Sequence, residues 1–314
     1  MLTRSTLIAA LALAISAVAG SVAFSAEPVT INIISLPSDT AGQVYYAQEL
    51  GYFKAAGLDV HITDMTSSPA IISAVASGAA DIGFSVVGSA ALARQRGIPV
   101  RFVAAGALYL ASNPTAQLIG AKDTTIRTAA DLSGKTVAVT GIADLTYYGT
   151  RAWIDKNGGD AASVKFIELS FPEMTPAVVQ HRVDAAMIAQ PFLAAALPQT
   201  KAIAPVDDAI ASRFMSTGWI ASETWLNAHR DAAAKFAAVM RQTAQWANAH
   251  HKESAQILMH YTKISPEIAA TMTRVEYGPS LDPKLLQPPI DVAARYSQQH
   301  FGPATDLIWP QAGR

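Results

Sequence analysis

The sequence predicts an α/β protein of two lobes, and three observations carry that reading. From Val29 onward, short apolar runs alternate with helical patterns of about ten residues, the mark of βαβ units and a mainly parallel sheet. The chain has 314 residues and is 51% hydrophobic, too much for one small core. The segment AVASGAADIG (Ala74–Gly83) is echoed by AVVQHRVDAA (Ala177–Ala186), each a helix reaching a turn and then an acidic residue that opens an apolar strand.

Taken in order, INIISL (Ile31–Leu36) is the first strand, ending at Pro37, after which Ser38, Asp39 or Thr40 can cap a helix to about Leu50. YFKAA adds a turn, and Gly57 falls where a left-handed residue ends a helix. DVHITD (Asp59–Asp64) is the next strand. Ser68-Pro69 pairs a cap with a first-turn proline for a helix to Gly78. DIGFSV is a strand, GSAALARQR a helix, and VRFVAAGALY a further strand. The turn residues ASNPT (Ala111–Thr115) mark a crossing to a second lobe. There AQLIGA follows, then DLSGKTVAV as a capped turn into a strand, ADLTYYGTRAWIDKN as a helix, VKFIEL as a strand, MTPAVVQHR as a helix, DAAMIAQ as a strand and PFLAAAL as a short helix. After STGWIAS (Ser216–Ser222) a long helical stretch runs to about His251, followed by helical pieces punctuated by Pro266, Pro279, Pro283, Pro288 and Pro289.

Composition narrows the function. With 23 basic and 24 acidic residues the formal charge is −1, which leaves no basic footprint for nucleic acid. There is no cysteine, so disulfides, thiol catalysis, thiolate metal sites and a lipid-modified cysteine tether are all excluded. Arg4, the apolar run Leu7–Val18 and the small residues of AGSVAFSA form an export signal over residues 1–26, with cleavage after Ala23 or Ala26. A membrane anchor is the other reading of that segment, but the apolar run is short for a bilayer span.

Enzyme signals fail on inspection. LSGKTV (Leu132–Val137) resembles the tail of a phosphate loop, yet Ala129 stands where the first glycine belongs and the piece precedes a strand. GFSVVG (Gly83–Gly88) has one residue too many for a nucleophile elbow. The seven histidines form no HExxH or i, i+4 pair. No catalytic constellation and no metal site is predicted.

What does recur is a strand ending in small or hydroxyl residues just before a helix: SLPSDT (Ser35–Thr40), TSSP (Thr66–Pro69), SVVGSA (Ser85–Ala90), TGIADLTYY (Thr140–Tyr148) and AQPF (Ala189–Phe192). Free N–H groups at a helix start, with the positive end of its dipole, bind polar ligand atoms, and small residues let a ligand approach the backbone. In open α/β sheets such ligands sit beyond the carboxyl ends of the strands. Each segment alone reads as an ordinary cap; together they favour a cleft. Tyr109, Tyr147, Phe192 and Trp219 could wall it or belong to the core.

GYFKAAGLDV (Gly51–Val60), SGAADIGF (Ser77–Phe84) and DLSGKTVAV (Asp131–Val139) resemble, in order and spacing, the solute-binding proteins of ABC importers. The nearest group contains the aliphatic sulfonate, taurine and nitrate binders and the thiamine-pyrimidine-precursor-binding proteins. The likeness runs from about Val29 to Trp225. It implies a type II periplasmic-binding fold closing on a ligand, with one lobe of 29–110 plus 216–314 and the other of 111–215. It implies ligand-lining positions among Leu36, Pro37, Ser38, Gln43, Ser67, Val87, Gly88, Ser89, Gly141, Ile142, Asp144, Thr146 and Gln190, to which Tyr109 is added as a wall.

Two departures bear on the ligand. Gln190-Pro191 stands where this group often carries Glu-Pro, and an unpaired Asp144 would repel a sulfonate or nitrate. The cysteine-rich motif of the group's pyrimidine-synthase relatives is absent. The expectation is an exported, periplasmic, monomeric solute binder without a cofactor that delivers a sulfonate-like anion or a heteroaromatic, pyrimidine-like compound to a membrane permease. A sensor that presents solute to a receptor, or an exported enzyme on the same fold, are the alternatives.

Overall fold

Parallel strands need a covering element between them, and the chain supplies one after each of its early strands. The computed structural model describes residues 27–312; the predicted export segment lies outside the described residues. β1 (Val29–Ser35) is followed by a 3₁₀ turn (Asp39–Ala41), α1 (Gly42–Glu49) and α2 (Tyr52–Ala55), which carry the chain to β2 (Leu58–Asp64). α3 (Ser68–Ser77) leads to β3 (Ile82–Val86), and α4 (Val87–Gln95) to β4 (Val100–Ala105). Gly57 and Gly78 end their helices at positive φ, +72° and +78°, as their positions predict.

The predicted strand VRFVAAGALY is broken at Gly106. β5 (Ala107–Leu110) leaves the first sheet there, because Gly106 packs directly on Thr217 with no room for a side chain and its carbonyl accepts from Gly278 N. A second run follows: β6 (Ala116–Ala121), β7 (Thr136–Val139), α5 (Leu145–Lys156), β8 (Lys165–Glu168), α6 (Phe171–Val179), β9 (Ala185–Ala189), α7 (Phe192–Ala196) and β10 (Thr200–Ala204). The chain returns through β11 (Arg213–Met215) to β12 (Thr217–Ser222), and then α8 (Glu223–Ala228), α9 (Arg230–Ala249), α10 (His251–Thr262), α11 (Pro266–Thr271), β13 (Glu276–Tyr277) and α12 (Pro283–Ser297). The predicted long helix is interrupted at His229 and His250. Pro288 and Pro289 lie inside α12, whose apolar stripe Leu286, Pro289, Ile290 and Ala293 is buried.

The strands form two five-stranded sheets with the same plan, β2-β1-β3-β12-β4 and β8-β7-β9-β6-β10. In each, one strand, fourth in that order, runs against the other four. The reversed strands are β6 and β12, those that follow a crossing. The crossing strands β5 and β11 pair antiparallel with each other, and β13 joins β5 to complete a small third sheet. The echo seen in the sequence is a structural equivalence. Asp81 Oδ2 accepts from Asn32 N at 2.8 Å beside β1, and Asp184 Oδ2 accepts from Thr136 N at 2.8 Å beside β7.

In the first half, Ile31, Ile33, Phe84 and Trp219 pack against Phe53 and Phe236, whose rings stack 6.0 Å apart. In the second, Leu118, Val137, Met187 and Ile188 lie with Met174 and Val178. The C-terminal part is tied to the start of the chain by a buried ion pair. Arg274 donates from Nη2 to Asp39 Oδ1 at 2.8 Å and to Tyr46 at 2.9 Å, and from Nη1 to the His251 carbonyl and Ser254 Oγ. Asp39 also accepts from Val275 N at 2.9 Å, so its charge is fully engaged.

Arg274→Leu strands the Asp39 charge in a dry site and should lower unfolding free energy by about 3–5 kcal/mol in urea titrations. Asp39→Asn combined with Arg274→Leu should cost clearly less than the two single changes added together. Additive losses would show that the pair is not a unit.

Candidate functional site

The carboxyl ends of both sheets open onto one cavity of about 60 Å³. From the first half it is walled by Leu36 beyond β1, Thr40, Ser68 at the start of α3, Phe84 and Val86 of β3, and Ser216 and Thr217 at the start of β12. The second half contributes Thr115 and Ala116, Thr140 beyond β7, Asp144–Thr146 at the start of α5, Phe171 at the start of α6, Met187 and Ala189 of β9, and Asp207. Tyr109, on the crossing strand β5, closes it from the side. No lysine, arginine or histidine is among these walls.

The start of α5 shows why hydroxyls and an acid gather there. An aspartate at a helix N-cap takes the free N–H groups of the first turn, and Asp144 Oδ1 accepts from Tyr147 N at 3.2 Å. Thr146 Oγ1 donates to the same oxygen at 2.6 Å, and Thr140 Oγ1 donates to Oδ2. Thr140 N in turn donates to Thr146 Oγ1 at 3.0 Å. Burial pushes Asp144 up to about 6 even though these donors pull it down.

Asp207 lies in a 3₁₀ turn (Val206–Ala209) against α5, at Gly149, where a side chain on the glycine would collide with Oδ1. It is 2% exposed, and Oδ1 has no hydrogen-bond partner. Burial pushes its carboxyl up to about 8, and the charges of Asp208 and Asp144 add to this. Its neighbour Asp208 accepts from the Tyr109 hydroxyl, and the Tyr109 ring stacks on Phe214, 5.0 Å between centroids.

Of the residues singled out in the sequence, Leu36, Tyr109, Asp144 and Thr146 meet in this cavity. The others lie around or behind it. Pro37 is half-buried, and Ser38 Oγ turns back to the Leu36 carbonyl and Thr40 Oγ1. Gln43 is held in the core, accepting from Trp219 Nε1 at 3.1 Å and donating to the Met240 carbonyl. Ser67 is a half-buried cap residue; its neighbour Ser68 is the one that faces inward, accepting from Val86 N at 3.1 Å. Val87 is core, and Gly88 packs against Ala293 and Tyr148.

Ser89 spans the two halves by donating to the Ala143 carbonyl at 2.8 Å, while Ile142 is exposed and Gly141 lies against Asp144 and Pro69. Gln190 accepts from Ala194 N through Oε1 and from Asp39 N through its carbonyl, a second bond between the halves. Of the candidate aromatics, Phe192 stacks behind Phe171, Tyr147 packs with Phe166, and Trp219 is core. Sequence reasoning missed Asp207, Phe171, Phe84 and the hydroxyls Thr115, Ser216 and Thr217. The available signal was the pair Asp207-Asp208 inside an otherwise apolar stretch.

The ordinary value for an aspartate is 3.8, so in native Asp207 and Asp144 the proton is held more tightly than in the unfolded chain. Their stabilisation is complete below about pH 4 and is lost as pH rises, by about pH 6 for Asp144 and about pH 8 for Asp207. Asp207→Asn cannot ionise. In urea titrations of the ligand-free protein, the wild type should therefore lose a few kcal/mol relative to this variant between pH 4 and 8. A difference that does not change with pH would contradict the assignment.

The family described as NMT1/THI5 like matches residues 39–254. A formylaminopyrimidine-binding protein of Halalkalibacterium halodurans is 30% identical over 159 residues, which is 51% of this chain and 46% of that protein, so the match spans about half the length of the curated relative. A ligand-binding component of an ABC-type import system from Staphylococcus aureus, solved with zinc bound, superposes with a TM-score of 0.78 at 17% identity, over 90% of this chain and 97% of that one. The alkanesulfonate-binding protein SsuA from Xanthomonas axonopodis pv. citri, bound to MOPS, gives 0.75 at 15% identity, over 90% and 99%. The structural likenesses establish the periplasmic-binding-protein fold, and the match over residues 39–254 places this chain in the NMT1/THI5-like family.

Proposed function

We propose that the protein is the periplasmic solute-binding component of an ABC importer, which captures a small organic compound between two lobes and hands it to a membrane permease. The observation that carries this reading is the cavity built from the strand ends of both sheets, with walls from each half. Such walls hold a ligand in place. The relatives include a formylaminopyrimidine-binding protein and an alkanesulfonate-binding protein, which supports a small organic solute as the cargo. We take 29–110 with 216–314 as one lobe and 111–215 as the other, a division supported by the membership of the two large sheets. Among the described residues no helix is long and apolar enough to cross a membrane.

Closure follows from contacts that both lobes make. A ligand touching Leu36 and Thr40 on one side and Thr140 and Phe171 on the other binds the closed arrangement better than an open one, and so shifts the population toward it. The Ser89–Ala143 bond adds a protein contact to the same closed state.

The test is a thermal-shift screen of the mature protein, unfolded and refolded to strip carried-over ligand, against aminopyrimidines, alkyl sulfonates, taurine, nitrate and aromatic carboxylates. A compound at a hundredfold excess over Kd should add about 2.7 kcal/mol to stability and remain chemically unchanged. Conversion of a bound compound would overturn the transport reading. Ser89→Ala should weaken the affinity of that compound by about three- to tenfold, the worth of one hydrogen bond, with the fold intact.

A further inference from the structure

A ring that borders two hollows decides whether they are one. Phe171 lines the cavity between the sheets, and it also lines a groove of about 430 Å³ on the surface of the second half, formed by α6 and α7. Among the described residues it is the one wall that the two hollows share. The groove is apolar where a helix surface is ordinarily polar. Pro172, Pro176 and Val179 stand at i, i+4 and i+7 of α6, and all three are exposed, while the core-facing side of the same helix carries Met174, Ala177 and Val178. Phe192 and Ala195 of α7 form the facing wall. A contiguous apolar patch of this kind marks a place where something binds.

Phe171 is also the least restrained of the three aromatic walls. Tyr109 is stacked on Phe214 and its hydroxyl is bound to Asp208, and Phe84 sits edge-on against Trp219 in the core. Phe171 has one ring neighbour, Phe192, 5.7 Å away. It occupies the first position of α6, so no preceding helical turn lies beneath it to exclude a side-chain rotamer. The backbone at that helix start is held, because Glu173 Oε2 accepts from both Ser170 N and Ser170 Oγ. A turn about χ1 therefore moves the ring and leaves the helix in place.

We propose that Phe171 is a swinging partition, and that the groove between α6 and α7 is a second subsite that receives the apolar tail of the solute when the ring turns aside. This rests on the solute-capture reading and names a substrate class, a compact head with an extended apolar tail. The cavity of about 60 Å³ has room for the head alone. The shared ring makes the groove continuous with the cavity, so its occupant is the tail of the same compound. Phe171 is then the residue that sets which chain lengths are accepted.

The test titrates two homologous series, alkanesulfonates and 5-alkyl-2-aminopyrimidines from ethyl to octyl, calorimetrically into the stripped protein. In at least one series, affinity should stall where the chain meets the ring and then rise again, by up to about fourfold per methylene buried in the groove. Val179→Glu, on the exposed wall, should weaken the octyl member at least tenfold and leave the ethyl member unchanged. Phe171→Ala should remove the stall, and the bulkier Phe171→Trp should weaken the long members, each with an unchanged circular dichroism spectrum. A steady fall in affinity with chain length in wild type and Phe171→Ala alike, a second rise untouched by Val179→Glu, or no binding of either series would each overturn the proposal. The first two would leave solute capture standing and give the groove to a protein partner, whereas conversion of a bound compound would remove the transport reading itself.

Discussion

The pairing of the two crossing strands is the constraint on which the rest of the molecule depends. β5 and β11 run antiparallel, with Leu110 opposite Arg213, Tyr109 opposite Phe214 and Leu108 opposite Met215. Because the chain passes from one sheet to the other only through these short segments, their register sets where β6 and β12 enter. Each of those strands joins its sheet against the direction of the other four, and the carboxyl ends of those four in both sheets face one cavity. The stacked Tyr109 and Phe214 rings fix the pair, and the Tyr109 hydroxyl reaches Asp208, next to the unpartnered Asp207. The crossing and the cavity are therefore built from the same few residues. Two narrow strands between rigid sheets are the kind of element that absorbs a closing motion.

Around that crossing, the buried acids are satisfied by the protein with one exception. Asp39 is satisfied: it is ringed by Arg274, Tyr46 and Val275 N, and it anchors the C-terminal helices beneath the cleft. Asp144 is satisfied too, by the threonines and the N–H group of its own helix start. Asp207 is the exception. The absence of a side chain at Gly149 lets it lie against α5, where no donor of the protein reaches Oδ1.

Much of the frame was legible because it is local. The cap at Asp144, the Ser68-Pro69 helix start and the left-handed Gly57 and Gly78 each follow from residues within a turn of one another. The echo between Ala74–Gly83 and Ala177–Ala186 was legible for the same reason, and in the fold it marks the same aspartate-to-strand bond in both halves. What was not legible is non-local. β10, β11 and β13 are short and lack a clear alternation, so they exist only through their partners. Gln43 reads as a ligand group in the chain, but Trp219 and the Met240 carbonyl, almost two hundred residues away, use both ends of its amide. Asp207 could not be separated from Asp208 by sequence, because one meets Tyr109 and the other meets Gly149, and both encounters are tertiary.

The central claim is that a solute closes the two lobes on each other. Since the chain contains no cysteine, Lys54→Cys and Lys165→Cys place a pair of spin labels on exposed positions, one on each half. The distance distribution between them, measured by pulsed dipolar spectroscopy with and without the most stabilising compound of the thermal screen, reports closure directly. The account predicts a shift to a shorter and narrower distribution at saturation. Identical distributions in the free and saturated protein would contradict it.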